Sequence, residues 1–456
     1  HKQGNFITTF FPENLVAGED YDFFYLPGVD PAYGSPVLGA GDIYAMFDDR
    51  PEVRAVMQYF STGASIEGWV KAGGAIAPYK DASLDWYQDP VSRKVAEVLQ
   101  GATTFRFDGS DLMPGAVGAG SFWKSMTSYV TEAISLDTAL KDIDASWPTS
   151  ATTKPAEPAA PAANIGASGE GAASKGLTEL ADAYAGKFKG TKVTMEGPFT
   201  DNDALKFDES VKAFEEVTGI DIQYTGSKEF EASITIKVEG GSAPDVVDFP
   251  QPGLLANLAK KGLVIDLADV INADWLKENY SNAWLDMGVM PGKDGPITAG
   301  IWARANGKSL VWYPKKAFDA AGYTVPTTWD ELIQLSDDIK ADGDTPWCVG
   351  IESGAATGWP LTDWVEEMML RTTSPENYDK WVTGELKFDS PEVRKAMETV
   401  EKIWFTDGYV YGGRGAIATT AFGDAPKPMF ENPPKCWLHK QGNFITTFFP
   451  ENLVAG

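Results

Sequence analysis

KVTMEGPF, Lys192–Phe199, and the downstream DESVKAFEEVTGIDIQYTG, residues 208–226, decide the fold. The first reads as a buried strand ending in a turn. The second reads as a helix stopped by Gly219, followed by another strand. A strand, a helix and a strand in this order are the opening of an α/β domain, here beginning near residue 190. Just upstream, GLTELADAYAGKFKG (176–190) carries a short helix signal.

The same alternation continues outward. APDVVDFPQPG (243–253) is a strand entering a Pro-rich loop. PTTWDELIQLSDDIKADG (326–343) predicts a helix: Thr328 and Glu331 have capping-box spacing, Leu332, Leu335 and Ile339 share a face, and Gly343 ends it. FDSPEVRKAMETVEKIW (388–404) predicts a helix with Pro391 in its first turn. RPEVRAVMQYFSTG (50–63) and GSFWKSMTSYVTEAISL (120–136) predict two more. SATTKPAEPAAPAANIGASGEGAASK (150–175) breaks the pattern: it is rich in Ala, Pro, Gly and Ser and nearly devoid of large apolar residues. Residues 149–175 therefore read as a flexible linker.

With 456 residues, the chain is too long for one core and predicts two or more lobes. The formal charge of −27 disfavours nucleic acid, whose phosphates such a surface repels. No apolar run long enough to span a bilayer occurs, and no signal-peptide pattern is visible at the start. The two histidines give little support to metal sites or His-dependent triads, and no metal or cofactor is expected. Cys348 and Cys436 are compatible with one disulfide or with two buried thiols. Fifteen Trp, 16 Tyr and 24 Phe are the positive signal. A Trp offers a flat apolar face and one N–H donor, which suits a sugar ring, although most aromatics fill cores.

The first eighteen residues, HKQGNFITTFFPENLVAG, recur unchanged as His439–Gly456. A single duplicate at both ends does not fit a solenoid.

KSLVWYPKKAFDAAGYTVPTTWDEL (308–332), PWCVGIESGAATGWPLTDWVEEMMLR (346–371) and DFPQPGLL (248–255) resemble extracellular solute-binding proteins of ABC sugar importers, in particular their alpha-glucoside-binding branch. The resemblance covers nearly the whole chain except the linker. It implies an α/β, two-lobed periplasmic-binding-protein fold, class II-like, with a hinge. The order of the motifs is altered: residues 1–148 resemble the family's C-terminal third and residues 176–456 its N-terminal two thirds. The chain therefore reads as circularly permuted, cut within the repeated segment. The expected lobes are 190–303 with 37–78, and 308–456 with 1–30 and 82–148. One place in the fold is expected for the two copies, leaving the surplus copy a route to domain-swapped self-association.

The resemblance also implies a small sugar ligand, ABC-transporter membrane subunits as partners, a periplasmic or extracellular location with a possible lipid anchor, and no catalysis. Ligand contacts are expected in loops after strands, at the mouth between lobes. From one wall come Glu196, Gly197, Pro198, Phe249, Gln251, Arg304, Gly41 and Asp42, with Asp42 the favoured carboxylate. From the other come Tyr313, Gly354, Ala355, Ala356, Thr357, Trp359, Asp111, Trp123, Gln441 and Asn443, the last two with twins Gln3 and Asn5. Against this stand core packing for Tyr313 and Trp359, a plain ion pair for Arg304, and turn capping for Asp108 and Asp111. In an oxidising compartment Cys348 and Cys436 would pair. A second reading is a glycosidase using acids such as Asp108 and Asp111, or Glu366 and Glu367, although two adjacent helical residues cannot flank one bond. A third is an engineered sensor scaffold.

Overall fold

The computed structural model describes residues 15–80, 82–100, 102, 104–148 and 169–449. Eleven strands occur among them: β1 Asp22–Tyr25, β2 Pro36–Met46, β3 Thr104–Phe107, β4 Lys192–Gly197, β5 Asp221–Gly226, β6 Val246–Phe249, β7 Val289–Pro291, β8 Pro296–Thr298, β9 Ile301–Gly307, β10 Leu310–Tyr313 and β11 His439–Lys440. The large sheet runs β3-β2-β6-β4-β5, with β9 also paired to β2. A small sheet runs β1-β10-β11, and β7 and β8 form a hairpin.

The opening stretch folds as its pattern dictates. β4 pairs in parallel with β5 and β6, and the helix Asp201–Thr218 crosses between β4 and β5. Gly219 ends that helix at φ +72°, a left-handed conformation that glycine adopts without strain. The helix Trp329–Ala341 has the expected capping box of Thr328 and Glu331, and buries Leu332, Leu335 and Ile339. Asn443 and the other residues of the second copy of the repeat, as far as Phe449, are described below; residues 1–14 and 450–456 lie outside the described residues.

Two differences from the sequence reading have clear causes. The predicted helix over 120–136 is broken: a π-helical turn, Ala116–Phe122, leads into Trp123–Val130, and a new helix starts at Leu136. Glu132 at φ +61° breaks the first helix, and Ser135 caps the second by accepting from the Thr138 N–H. Of the expected linker, residues 149–168 lie outside the described residues, whereas Gly169–Ser174 is helical, with Ala172 buried. Ala172 belongs to the core cluster that also takes in the next helix's Leu180 and Ala183.

Two hydrophobic cores form. One surrounds the large sheet, with Ile43, Val193, Met195, Val246 and Ile301 among its members. The other is helical and Trp-rich, containing Trp364, Trp381 and Trp404. The small sheet lies between them and alternates strictly. Phe23 and Trp312 face the first core, while Phe24, Val311 and Tyr313 face the second. Sheets covered on both faces read as continuous apolar runs, as LVWY does. β3, expected with the second lobe, instead pairs with Pro36–Gly39 at the start of β2.

β11 carries the described histidine. His439 Nδ1 lies 2.8 Å from the Cys348 carbonyl oxygen. Burial holds its pKa down to about 4, against the smaller raising effect of that carbonyl. The unfolded value is about 6.5, so between these values the folded state binds fewer protons than the unfolded state. Stability from neutral His439 is thus fully present above about pH 6.5 and is lost as pH falls, reaching about 3 kcal/mol near pH 4. We expect His439→Asn to lose less stability than the parent protein between pH 7 and pH 4.5 in urea titrations. Parallel losses would contradict this.

Candidate functional site

The site begins at a paired register position. Asp42 on β2 faces Arg304 on β9, and the ladder shifts between Asp42 and Ile43. Such a bulge re-aims side chains. Here Arg304 Nε donates to Asp42 Oδ2 at 2.6 Å, and Nη1 approaches Asp203 Oδ2 at 3.4 Å. The guanidinium carbon lies 4.7 Å from the Trp69 ring centroid and 4.4 Å from that of Phe199. Gly41 admits this arrangement, because a Cβ there would come 2.7 Å from the Arg304 carbonyl oxygen.

A second charged knot occupies the crossing from β9 to β10. Lys308 pairs with Asp108, and with Asp363 at 2.8 Å. Asp108 follows β3 and caps the turn Gly109–Leu112, accepting from the Asp111 N–H at 3.1 Å. Burial raises the Asp108 pKa, but the Lys308 charge and hydrogen bonds with Asp363, Glu366 and Lys308 together hold the carboxyl well below its usual range. Asp111 is pushed well above its usual value by burial and then by the charge of Asp108.

A cavity of ≈ 150 Å³ lies over both knots. Its polar lining includes Asp42, Asp108, Asp111, Asp203, Glu231, Gln251, Arg304, Asn306 and Lys308; its aromatic lining is Trp123, Phe199, Trp359, Phe422, Phe444 and Phe448. Trp359 packs edge-on to Phe422 at 5.1 Å, with Lys308 Nζ 5.2 Å from its ring centroid. Trp123 donates its indole N–H to Ser110 Oγ at 3.2 Å. Gln251 Nε2 donates to Glu231 at 3.3 Å, and burial pushes the Glu231 pKa up to about 7. Asp203 Oδ1 and Gln251 Oε1 have no hydrogen-bond partner among the described residues. These two buried acceptors can take hydroxyl donors.

Of the residues expected to meet a ligand, Gly41, Asp42, Asp111, Trp123, Pro198, Gln251, Arg304, Ala356 and Trp359 line this cavity. The others lie elsewhere. Phe249 is fully buried between Phe47 and Phe230, because β6 is covered on both faces. Tyr313 packs against Phe24 and Phe318 in the second core. Glu196 is paired with Lys237 at 2.5 Å, and Gly197 lies against Tyr224 and Asp248. Gly354, Ala355 and Thr357 flank Ala356, and the Ala355 N–H reaches the Lys228 carbonyl on the facing wall at 3.3 Å. The Gln441 carbonyl accepts from the Trp312 indole, while Asn443 links Gly307 and Gly74. Gln3 and Asn5 lie outside the described residues. Of the glycosidase acids, Glu366 accepts from the Gly109 and Ser110 N–H groups and Glu367 pairs with Arg371; neither lines the cavity.

Sequence reasoning missed Asp203, Lys228, Glu231, Asn306, Lys308, Phe422, Phe444 and Phe448 as lining residues. Asp203 had a signal: it sits in the first turn of the helix after β4, beside the loop already singled out. Lys308 heads KSLVWY, in the stretch that carries the family resemblance, but its acidic partners Asp108 and Asp363 are distant in sequence.

Residues 200–425 match the family model described as bacterial extracellular solute-binding protein. Over that stretch, just under half of its length, the chain is similar to extracellular solute-binding proteins. It is 46% identical over 275 residues to the alpha-glucosides-binding periplasmic protein AglE of Rhizobium meliloti, covering 59% of each chain. It is 42% identical over 262 residues to the osmoprotective compounds-binding protein GgtB of Synechocystis, covering 58% of this chain and 61% of the relative. The chain thus matches about three fifths of the length of these solute-binding relatives. Among solved structures, the apo form of RafE from Streptococcus pneumoniae matches with TM-score 0.40 and 20% identity, over 58% of this chain and 65% of that one. No helix among the described residues is long and apolar enough to cross a membrane.

Proposed function

We propose that the chain captures a neutral alpha-glucoside, of disaccharide size, between two lobes, for delivery to an ABC importer, without turning it over. The observation that carries this is the cavity itself. Aromatic faces stand beside two unpartnered buried acceptors, and the cations present are already matched by carboxylates. That combination suits a ring with apolar C–H faces and many hydroxyls. The names of the relatives support the same ligand class. The lobes we assign are 190–303 with 37–78, and 308–456 with 1–30 and 82–148 apart from β3, which pairs with β2, closing about the crossing beside Lys308 and Ser309. Residues of the sequence-expected set that line the cavity are assigned to the ligand.

We also read the chain as circularly permuted. In support, β1 follows the first copy of the repeat, β11 begins the second, and both pair with β10. The native form is assigned to the periplasm or cell exterior, with a lipid anchor as one means of retention. A surplus copy of the repeat provides a route to exchange between molecules.

Calorimetry with maltose, trehalose, sucrose and glucose tests the ligand assignment. Saturable binding of one disaccharide, with no glucose released on incubation, is expected. Trp359→Ala should weaken that binding ~10- to 100-fold, since an aromatic face supplies much of the apolar contact. Absence of heat with all four sugars, or release of glucose, would overturn the reading.

A further inference from the structure

The place that receives His439–Phe449 is built in detail. His439 and Lys440 pair with Trp312 and Val311. Asn443 Oδ1 accepts from the Gly307 N–H at 2.7 Å, and its Nδ2 donates to the Gly74 carbonyl at 3.0 Å. Asn202 Nδ2 donates to the Thr447 carbonyl at 2.9 Å. Ile445 is fully buried, and Phe449 packs among Tyr21, Trp312 and Phe430 at centroid distances of 4.8–5.8 Å.

The repeat's later positions are also seated, but by the other copy. Leu15 is buried in the first core, Ala17 bridges to Tyr21, and the Gly18 N–H donates to the Tyr21 carbonyl at 2.8 Å. Phe449 is position 11 of the repeat and Leu15 is position 15. One continuous seat is thus filled by the second copy at positions 1–11 and by the first at positions 15–18. The crossover lies between Phe449 and Leu15, and the Phe449–Tyr21 ring contact joins the two sides.

Each copy is fastened at one end. The second is tied upstream by the Cys348–Cys436 disulfide, three residues before His439. The first is tied downstream by β1, which starts four residues after Gly18. Every side chain the second copy brings to positions 1–11 exists, in the same order, in His1–Phe11.

We propose that the seat of His439–Phe449 is also the binding surface for His1–Phe11 of the same chain, so that the crossover point migrates along the repeat. Side-chain contacts cannot favour one copy, because the two are identical; only the junctions differ. The protein then exchanges between two frames that present the same wall to the cavity, since Phe444 and Phe448 are equivalent to Phe6 and Phe10.

Paired cysteines read out the occupant. Asn202→Cys is combined either with Thr447→Cys or with Thr9→Cys in the full chain, and oxidised products are mapped by mass spectrometry after sizing. Both pairs are expected to cross-link within monomers. Cross-linking of the Thr447→Cys pair alone, with the Thr9→Cys thiol left free, would overturn the proposal. Cross-linking of the Thr9→Cys pair only in dimers would overturn it too, by making the occupant a second molecule. As an independent readout, Ile7→Ala and Ile445→Ala should each leave the melting temperature nearly unchanged, while the double variant drops it by several degrees. An Ile445→Ala drop as large as that of the double variant would count against a shared seat.

Discussion

Arg304→Leu is expected to cost about 3–5 kcal/mol of stability at pH 7, the usual loss when one partner of a buried ion pair is removed. Arg304 is 5% exposed, and Asp42 and Asp203, the two carboxylates it serves, are 2% and 6% exposed. Without the guanidinium they share a buried site as like charges, and Trp69 and Phe199 lose the cation between their faces. The cost arises from stranded charge rather than from lost volume, since leucine fills part of the space. Two checks separate these causes. The defect should shrink as pH falls, because burial already raises the Asp203 pKa and that carboxyl takes up a proton, and Asp42→Asn combined with Arg304→Leu should be more stable than Arg304→Leu alone. A urea-titration loss below about 1 kcal/mol, or no recovery on neutralising Asp42, would show that the knot is not held by charge.

The disulfide carries the second large effect. Cys348 and Cys436 are bonded, with Cα atoms 5.4 Å apart and a sequence separation of 88. In the chain-entropy view, releasing a loop of that length costs roughly 4–5 kcal/mol. Cys348→Ala with Cys436→Ala should therefore shift the urea midpoint down strongly. The unfolded parent protein, left unreduced, should show no titratable thiol. Two thiols, or an unmoved midpoint, would contradict the pairing.

The fold was legible where local chemistry and tertiary need agree. The helix at Trp329–Ala341 was readable because its cap, its apolar stripe and its stop all point one way. The opening βαβ was readable for the same reason. The broken helix over 120–136 was not, because apolar periodicity carries through the π turn and the positive φ at Glu132. The site was legible as loops but not as charges. Position after a strand picks out Pro198 and Gln251, but it also picks out Phe249, which double-sided burial takes away from the cavity. Asp203 and Lys308 became visible only when partners far apart in sequence came together: Lys308 lies 200 positions from Asp108. Periodicity within one segment has no access to such pairs.

The matching of cations at the cavity floor has a kinetic consequence. Arg304 and Lys308 each meet two buried carboxylates, so the cleft offers no unbalanced positive field to a visitor, and the surrounding body carries a formal charge of −27. A neutral solute entering such a cleft is neither steered nor repelled, so its arrival is governed by diffusion and geometry and is indifferent to ionic strength. A phosphorylated analogue of the same size is slowed by the outer charge, and added salt lifts that penalty. On the proposed reading of the cavity, solutes are thereby sorted by charge at the encounter step, before any hydrogen bond in the cavity is made.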